Sequence, residues 1–388
     1  MAMSNSDLMA AITKKKASMS SQDKSALEFV MGENSGFQNT LDKEAEGAKQ
    51  KTIQEKLKKE MERKEAEEKA MRESLSSHQF LMTDMTDGRL PHSGINHVMF
   101  KYPKGTWDAE HEDNIPQVDP FFYWDADQLE ALWLGYTMNN NVLFTGPPGT
   151  GKTSAGHQLA AWIRQPYARF NGKDGIEPAS FLGYPWATKE GMVWKDGLMT
   201  QAVEHGYYTA IDEIFKLPPG IQMAMQSLYE EGGFLMLDEK PGTIKEKHIR
   251  PRKEFRILGT DNTKGTGDDL DKYSAGQMQD SSSLDRFQIT AEVGYLRPQV
   301  EQGILQKMFP SVEVRSIKRA IAMANLVRES FVKQSDLSLT MSLRGLRTTC
   351  KLLEKGITLE YALKLTYVNK LSDDTEIATA MGFVRSAI

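Results

Sequence analysis

Residues 146 to 154 read GPPGTGKTS, a Gly-x4-Gly-Lys-Thr spacing that suits one task, the cradling of phosphate. Glycines let backbone N–H groups turn inward around an anion without Cβ clashes, and a following helix presents its positive end to the same charge. The run Gly146, Pro147, Pro148, Gly149, Thr150, Gly151, Lys152, Thr153 and Ser154 is therefore read as a nucleotide-binding loop. Lys152 is placed to reach the β- and γ-phosphates, and the Thr153 hydroxyl to help hold Mg2+.

A cradle alone fits many reactions, so the residues that answer it matter more. Tyr207 to Glu213, YYTAIDE, is an apolar stretch ending in two carboxylates. Asp212 is placed to join the Mg2+ shell, and Glu213, one residue on, to orient or deprotonate a water attacking the γ-phosphorus. Paired acids also occur as a solvated strand cap; the loop upstream favours the hydrolytic reading. FRILGTDNT at 255–263 brings Asn262 to the end of another apolar run, where an amide can hydrogen-bond the attacking water or a phosphate oxygen, or simply close a turn. Arg286 in SLDRFQIT and Arg344 in MSLRGLR are candidate cations for charge on a transferring phosphoryl group, and each is equally compatible with a surface ion pair.

These residues need elements to hold them. WDADQLEALWLGYTMNN has helical spacing with an apolar face at Leu129, Leu132, Trp133 and Tyr136. Val142 to Phe144 predicts a buried strand, SAGHQLAAWIRQ a helix, and YYTAIDEI and FRILGTDN two more strands. Strands alternating with helices predict an α/β fold, a mainly parallel sheet covered on both faces. The expected division is a charged N-terminal arm over 1–78, an irregular connector over 79–118, a catalytic αβα core over 119–296, and a smaller helical domain over 297–388. Between Leu41 and Leu75 stand 20 charged residues, ten of each sign, with Ile53, Leu57 and Met61 on one stripe. Such a segment reads as a solvated helix, either a tether or a docking arm.

Charge and cysteine content bound the setting. A net charge of -5 argues against wholesale coating of nucleic acid, although a local basic groove remains compatible with it. Cys350 is the single cysteine, so no intrachain disulfide forms, and the 7 histidines show no ligand spacing. No run of about 18 apolar residues occurs, so no membrane span is expected, and a soluble, cytoplasmic protein fits best.

The ordered series of phosphate loop, DE-ended strand, strand-end Asn, DRF arginine and helical-domain arginine resembles the AAA+ ATPases. That resemblance implies a three-layer αβα P-loop domain with a helical lid, ATP and Mg2+ as ligands, and ATP hydrolysis. It implies Asn262 as sensor 1, Arg286 as an arginine finger acting in trans, and Arg344 as a sensor 2 arginine reaching the nucleotide from the lid. GMVWKDGLMTQAVEHGYY looks like the hairpin inserted into the second helix of the MoxR and chelatase branch, and GGFLMLDEKPGTIKEKHIRPRKEFR like its hairpin before sensor 1. The run from Phe255 to Leu296 and the approach VDPFFYWDADQLEALWLGYTMNNNVLFTG are similar to those of the cobaltochelatase CobS subunits. The resemblance spans about 118–365 and is absent over the charged arm.

The expectation is thus a homo-oligomeric ring, hexameric by family, that couples hydrolysis to remodelling of a protein partner with a von Willebrand A-type domain. Alternatives are metal chelation proper and a nucleic-acid motor, the latter suggested by the basic KEKHIRPRK at 245–253. A small-molecule kinase is weakest, because no acceptor pocket is readable. The aromatic stretch Phe181 to Trp194 is expected mainly as core packing, with contact to a partner or pore as the alternative.

Overall fold

Every residue of β3 (Val142–Thr145) and β7 (Tyr208–Asp212) is buried, as expected of strands covered on both faces. In the computed structural model they belong to a five-stranded sheet of order β11-β3-β10-β7-β4, with β4 at Tyr167–Asn171, β10 at Arg256–Asp261 and β11 at Ile289–Glu292. All four pairings are parallel. The structure describes residues 65–172, 176–189, 191–262, 284–333 and 337–388, with Glu55, Lys58, Lys59, Glu62 and Arg63.

Alternation along the strands sorts side chains into two cores. Leu143, Ile211 and Ile257 face one side, against Met199, Val203, Ile221, Met225 and Phe287. Their neighbours Phe144, Ala210 and Leu258 face the other, against Leu129, Leu132, Trp133 and Leu159. The period of two means that consecutive apolar residues serve opposite layers, which is why the central strands read as unbroken apolar runs. The outer strands β4 and β11 alternate buried or half-buried with exposed positions. They escape a search for apolar runs for that reason, and both are additions to the strands predicted from sequence.

Helix α1 (Ala126–Met138) starts where the Asp125 carboxylate accepts from the Gln128 amide at 3.1 Å, and its predicted apolar face is buried. Helix α2 (Lys152–Ile163) follows the phosphate loop directly, and α3 (Leu198–His205) and α4 (Pro219–Gln226) cover the opposite face. Two antiparallel hairpins interrupt this frame, Gly183–Thr188 with Gly191–Asp196 and Leu235–Met236 with His248–Ile249. The second falls within the stretch 232–256 expected to form a hairpin, whereas of the stretch 191–208 only Gly191–Asp196 is hairpin and Leu198–His205 is α3.

Two expectations need correction. The stretch 79–118, read as irregular, carries an antiparallel pair, Gln79–Leu81 with Val98–Phe100, and seats Met82 and Met99 fully buried against α1 and α2. Methionine fills irregular gaps without imposing a period, so the pattern left no trace in sequence. The Phe181–Trp194 stretch divides: Phe181 is buried and Trp194 packs partly on the core, but Trp186 is 56% exposed at the hairpin. Core packing describes its base only, because the hairpin carries its outer half away from the sheet.

Beyond the sheet lie α5 (Pro298–Met308), α6 (Val314–Val332), α7 (Leu343–Glu354), α8 (Leu359–Thr366) and α9 (Asp374–Ala387), around their own core of Leu305, Ile317, Ala324, Leu346, Leu363 and Val384. A buried ion pair ties α5 to α6: Arg328 donates from Nη1 and Nη2 to Glu301 at 2.9 and 2.8 Å, and from Nε to the Met341 carbonyl at 2.8 Å. In the separate unit over 1–75, residues 65–73 are helical and exposed except for the half-buried Glu68, which pairs with Arg72 at 2.9 Å. The stripe Ile53, Leu57 and Met61 lies outside the described residues, as does 263–283 of the CobS-like run. Among the described residues, no helix is long and apolar enough to cross a membrane.

Candidate functional site

The carboxyl ends of β3, β7, β10 and β4 open onto a cleft of about 570 Å³, the position at which parallel α/β sheets bind ligands. The phosphate loop forms one wall. Gly146, Gly149 and Gly151 take φ of 133°, 77° and 98°, values that side-chain-bearing residues resist. Two of these glycines also permit close approach, since a Cβ on Gly146 would meet the Val293 carbonyl at 2.3 Å and one on Gly149 the Ser342 Cβ at 2.4 Å. The loop is thus pressed between the end of β11 and the start of α7.

Lys152 is 7% exposed, and its ammonium spends all three donors inside the site, on the carbonyls of Gly146 (2.6 Å) and Pro147 (2.9 Å) and on Asn262 Oδ1 (2.9 Å). Burial pulls its pKa down to about 8, against the opposing pull of Asp261, Asp212 and Glu213. Sequence separation of 110 residues is thereby closed by one hydrogen bond, between a loop lysine and a strand-end amide.

Asp212 stands at the centre. Its Oδ1 accepts from the Thr153 hydroxyl and from Thr260 Oγ1, the latter at 3.0 Å, and its Oδ2 from Arg169 Nε at 2.7 Å. Glu213 adopts φ 49° and ψ 49°, the left-handed region. Its Oε1 accepts from Asn262 Nδ2 at 3.1 Å, and Oε2 lies 3.1 Å from Lys216 Nζ. A hydroxyl and a carboxylate side by side are the hard oxygen donors that Mg2+ takes, with phosphate and water completing its shell, so Thr153 and Asp212 fit that ion.

Lys152, Thr153, Asp212, Glu213 and Asn262 therefore converge, and Arg344, from the first turn of α7, lines the same cleft with Pro148, Gly149, Thr150, Gly151 and Ser154. Arg286 does not join them. It lies in another groove with Phe215, Met223 and Tyr229, where its carbonyl accepts from Asn141 Nδ2 at 3.2 Å. A contact from Arg286 to phosphate in its own cleft is therefore outside this arrangement.

Sequence reasoning missed several residues that complete the site. Tyr167, Arg169 and Asn171 occupy alternate positions of β4 and all line the cleft. Their only signal was a polar alternation in YARFN. A second cavity of about 530 Å³ adjoins the first and is walled by Val118, Asp119, Phe121 to Tyr123, Gly149 to Gly151, His157, Tyr295, Ser342 and Arg344. Its wall is held by Gln158, whose Oε1 accepts from the Asp119 amide at 2.7 Å, and by Arg347, 3.8 Å from the Asp119 carboxylate. Tyr295 joins the loop to the lid, with its hydroxyl 3.3 Å from the Pro148 carbonyl and 2.7 Å from Thr340 Oγ1.

Comparison with known proteins agrees with this geometry. The AAA domain of the dynein-related subfamily matches residues 141–275, and the C-terminal domain of CbbQ, NirQ and NorQ matches 301–388. The aerobic cobaltochelatase subunit CobS of Sinorhizobium sp is 27% identical over 67% of this chain and 79% of its own length. Protein CbbQ of Hydrogenophilus thermoluteolus is 24% identical over 68% of this chain and 92% of its own. Protein NorQ of Paracoccus denitrificans is 23% identical over 69% and 94%.

Proposed function

We propose that this chain acts as a MoxR-like AAA+ ATPase close to CobS, hydrolysing ATP at sites shared between subunits of a ring and using the cycle to remodel a protein partner. The observation that carries the reading is the meeting of Lys152, Thr153, Asp212, Glu213 and Asn262 around one cleft, with Arg344 on its rim and Arg286 in a different groove.

Each residue has a task that its position supports. The loop amides and Lys152 bind the triphosphate, with Lys152 exchanging its carbonyl partners for phosphate oxygens. Thr153 and Asp212 would hold Mg2+, which would neutralise charge developing on the phosphates. Glu213, set by Asn262 and Lys216, takes the proton of the attacking water, and Asn262 orients that water or a γ-phosphate oxygen. Arg344 brings a lid guanidinium to the phosphates, so that lid position and nucleotide state are linked. Arg286 supplies the corresponding cation to the cleft of an adjacent subunit. A homo-oligomeric ring, six subunits by analogy with the family, satisfies both arginines.

Remodelling of a partner with a von Willebrand A-type domain is the family-level reading of the output. Chelation proper is the narrower version, motivated by the CobS relative. Steady-state phosphate release tests the core reading: Glu213→Gln is expected to bind ATP and turn over at least about a hundredfold more slowly. Mixing Lys152→Ala with Arg286→Ala subunits tests sharing, because only hybrid interfaces combine an intact cleft with an intact arginine. No recovered turnover on mixing would sink the shared-site model.

A further inference from the structure

Arg169 has no role in the scheme above, yet it makes the closest charged contact with the residue at the centre of the site. Its Nε donates to Asp212 Oδ2 at 2.7 Å and its Nη2 joins the same oxygen. The other carboxylate oxygen is taken by Thr153 and Thr260. The guanidinium reaches this place because β4 pairs with β7 in a register that sets Asn171 opposite Asp212 and Arg169 opposite Ala210, and alternation points Arg169 and Asn171 to one side. The contact is thus built by the sheet and does not depend on a loop.

We infer that Arg169 is a positioning residue that gates the divalent cation: by sharing Asp212 it holds the local charge near neutral, so that the cation enters with the nucleotide and not ahead of it. The inference rests on the reading of the cleft as a Mg2+-nucleotide site. Asp212 alone beside the Thr153 hydroxyl offers a small hard cation an anionic oxygen site. A guanidinium on the same carboxylate cancels that attraction and adds direct repulsion of a dication, which at the effective dielectric of a half-open cleft corresponds to at least about tenfold in affinity. A bound triphosphate reverses the balance, because it brings several negative charges to the opposite side of the cation. Lys152 adds to the same field without a contact to Asp212, its ammonium donating to Gly146, Pro147 and Asn262, so it is constant across residue 169 variants and their difference reads the guanidinium alone.

The Arg169 side chain is 57% exposed, so shortening it opens no internal cavity. The test uses full-length protein and Mn2+ as the probe, with free Mn2+ followed by electron paramagnetic resonance, without nucleotide and then with saturating ADP. Arg169→Gln is expected to bind Mn2+ without nucleotide at least about tenfold more tightly than wild type, Arg169→Lys to remain within about threefold of wild type, and the differences to shrink with ADP. Equal Mn2+ affinity for wild type and Arg169→Gln overturns the proposal, as does a lysine variant that behaves like the glutamine one. A fluorescent ATP analogue with Mg2+ separates the two levels of inference. Wild type that fails to bind the analogue overturns the nucleotide reading, whereas wild type that binds it while Mn2+ affinity ignores residue 169 overturns the gate alone. Arg169→Met, unable to hydrogen-bond Asp212, repeats the test with an apolar side chain and is expected to match Arg169→Gln.

Discussion

Gly172 and Glu213 meet backbone to backbone: a Cβ on Gly172 would stand 2.2 Å from the Glu213 carbonyl oxygen. The Gly172 amide also donates to the Asp212 carbonyl at 2.6 Å. The end of an outer strand therefore sets the main chain of both carboxylates, and it helps hold Glu213 in a left-handed conformation that costs a residue with a Cβ roughly 1–2 kcal/mol.

Gly172→Ala is accordingly expected to injure chemistry more than binding. The added methyl has only backbone to push against, so Glu213 must shift. A displacement near 1 Å at a catalytic group costs up to about a hundredfold in rate. The expected result is a kcat lowered by about ten- to a hundredfold with nucleotide affinity within about threefold of wild type, read by phosphate release and by titration with a fluorescent nucleotide. Equal losses in both would mean that the phosphate loop, and not the carboxylates, had moved.

Lys152 is expected to make nucleotide binding a proton-linked event. Its folded pKa is depressed to about 8 from 10.5, so between those values the unfolded chain binds more protons than the folded one, and this group adds stability as pH rises through that window. Phosphate favours the charged ammonium. Near pH 9 nucleotide binding is therefore expected to take up a proton, and affinity to fall as pH rises above about 8. Calorimetry in two buffers of different ionisation enthalpy measures the uptake, and Lys152→Met should abolish it.

The ion pair between Glu301 and Arg328, 1% and 4% exposed, is expected to behave as a buried charge pair. Removing one partner strands the other, so Glu301→Ala should lower the stability of the helical region by about 3–5 kcal/mol. Replacing both, Glu301→Leu with Arg328→Met, should recover a large part of that loss. Thermal unfolding of the two variants beside wild type checks the order, and an equally damaged double variant would show that the hydrogen bond from Arg328 to Met341, also lost there, is the dominant contact.

Trp186, Met192 and Val193 are 56%, 62% and 53% exposed on one hairpin. Trp186→Ser is expected to leave basal ATP turnover within about twofold, because surface changes away from the core are usually worth less than about 0.5 kcal/mol. Stimulation of turnover by a protein partner should fall in the same variant. Loss of basal turnover would instead assign the tryptophan to the fold.

Much of this protein was readable as a string because it rests on local rules. The phosphate loop is contiguous, the helix after it and the buried strands β3, β7 and β10 have periods that single segments carry, and Asp212, Glu213 and Asn262 stand at the ends of apolar runs. Arg344 was singled out by the resemblance and not by its spacing, and it lines the cleft. What remained hidden depends on pairings between segments far apart. Arg169 meets Asp212 only because of strand register, Gly172 is required only because Glu213 passes beside it, and Gln158 matters only because the chain at Asp119 crosses in front of α2. Met82 and Met99 enter the core from a stretch with no period at all. Local pattern specifies which residues form an element and which face is apolar; long-range packing decides which polar side chains face each other across a cleft. Arg169, Gly172 and Gln158 belong to that second class.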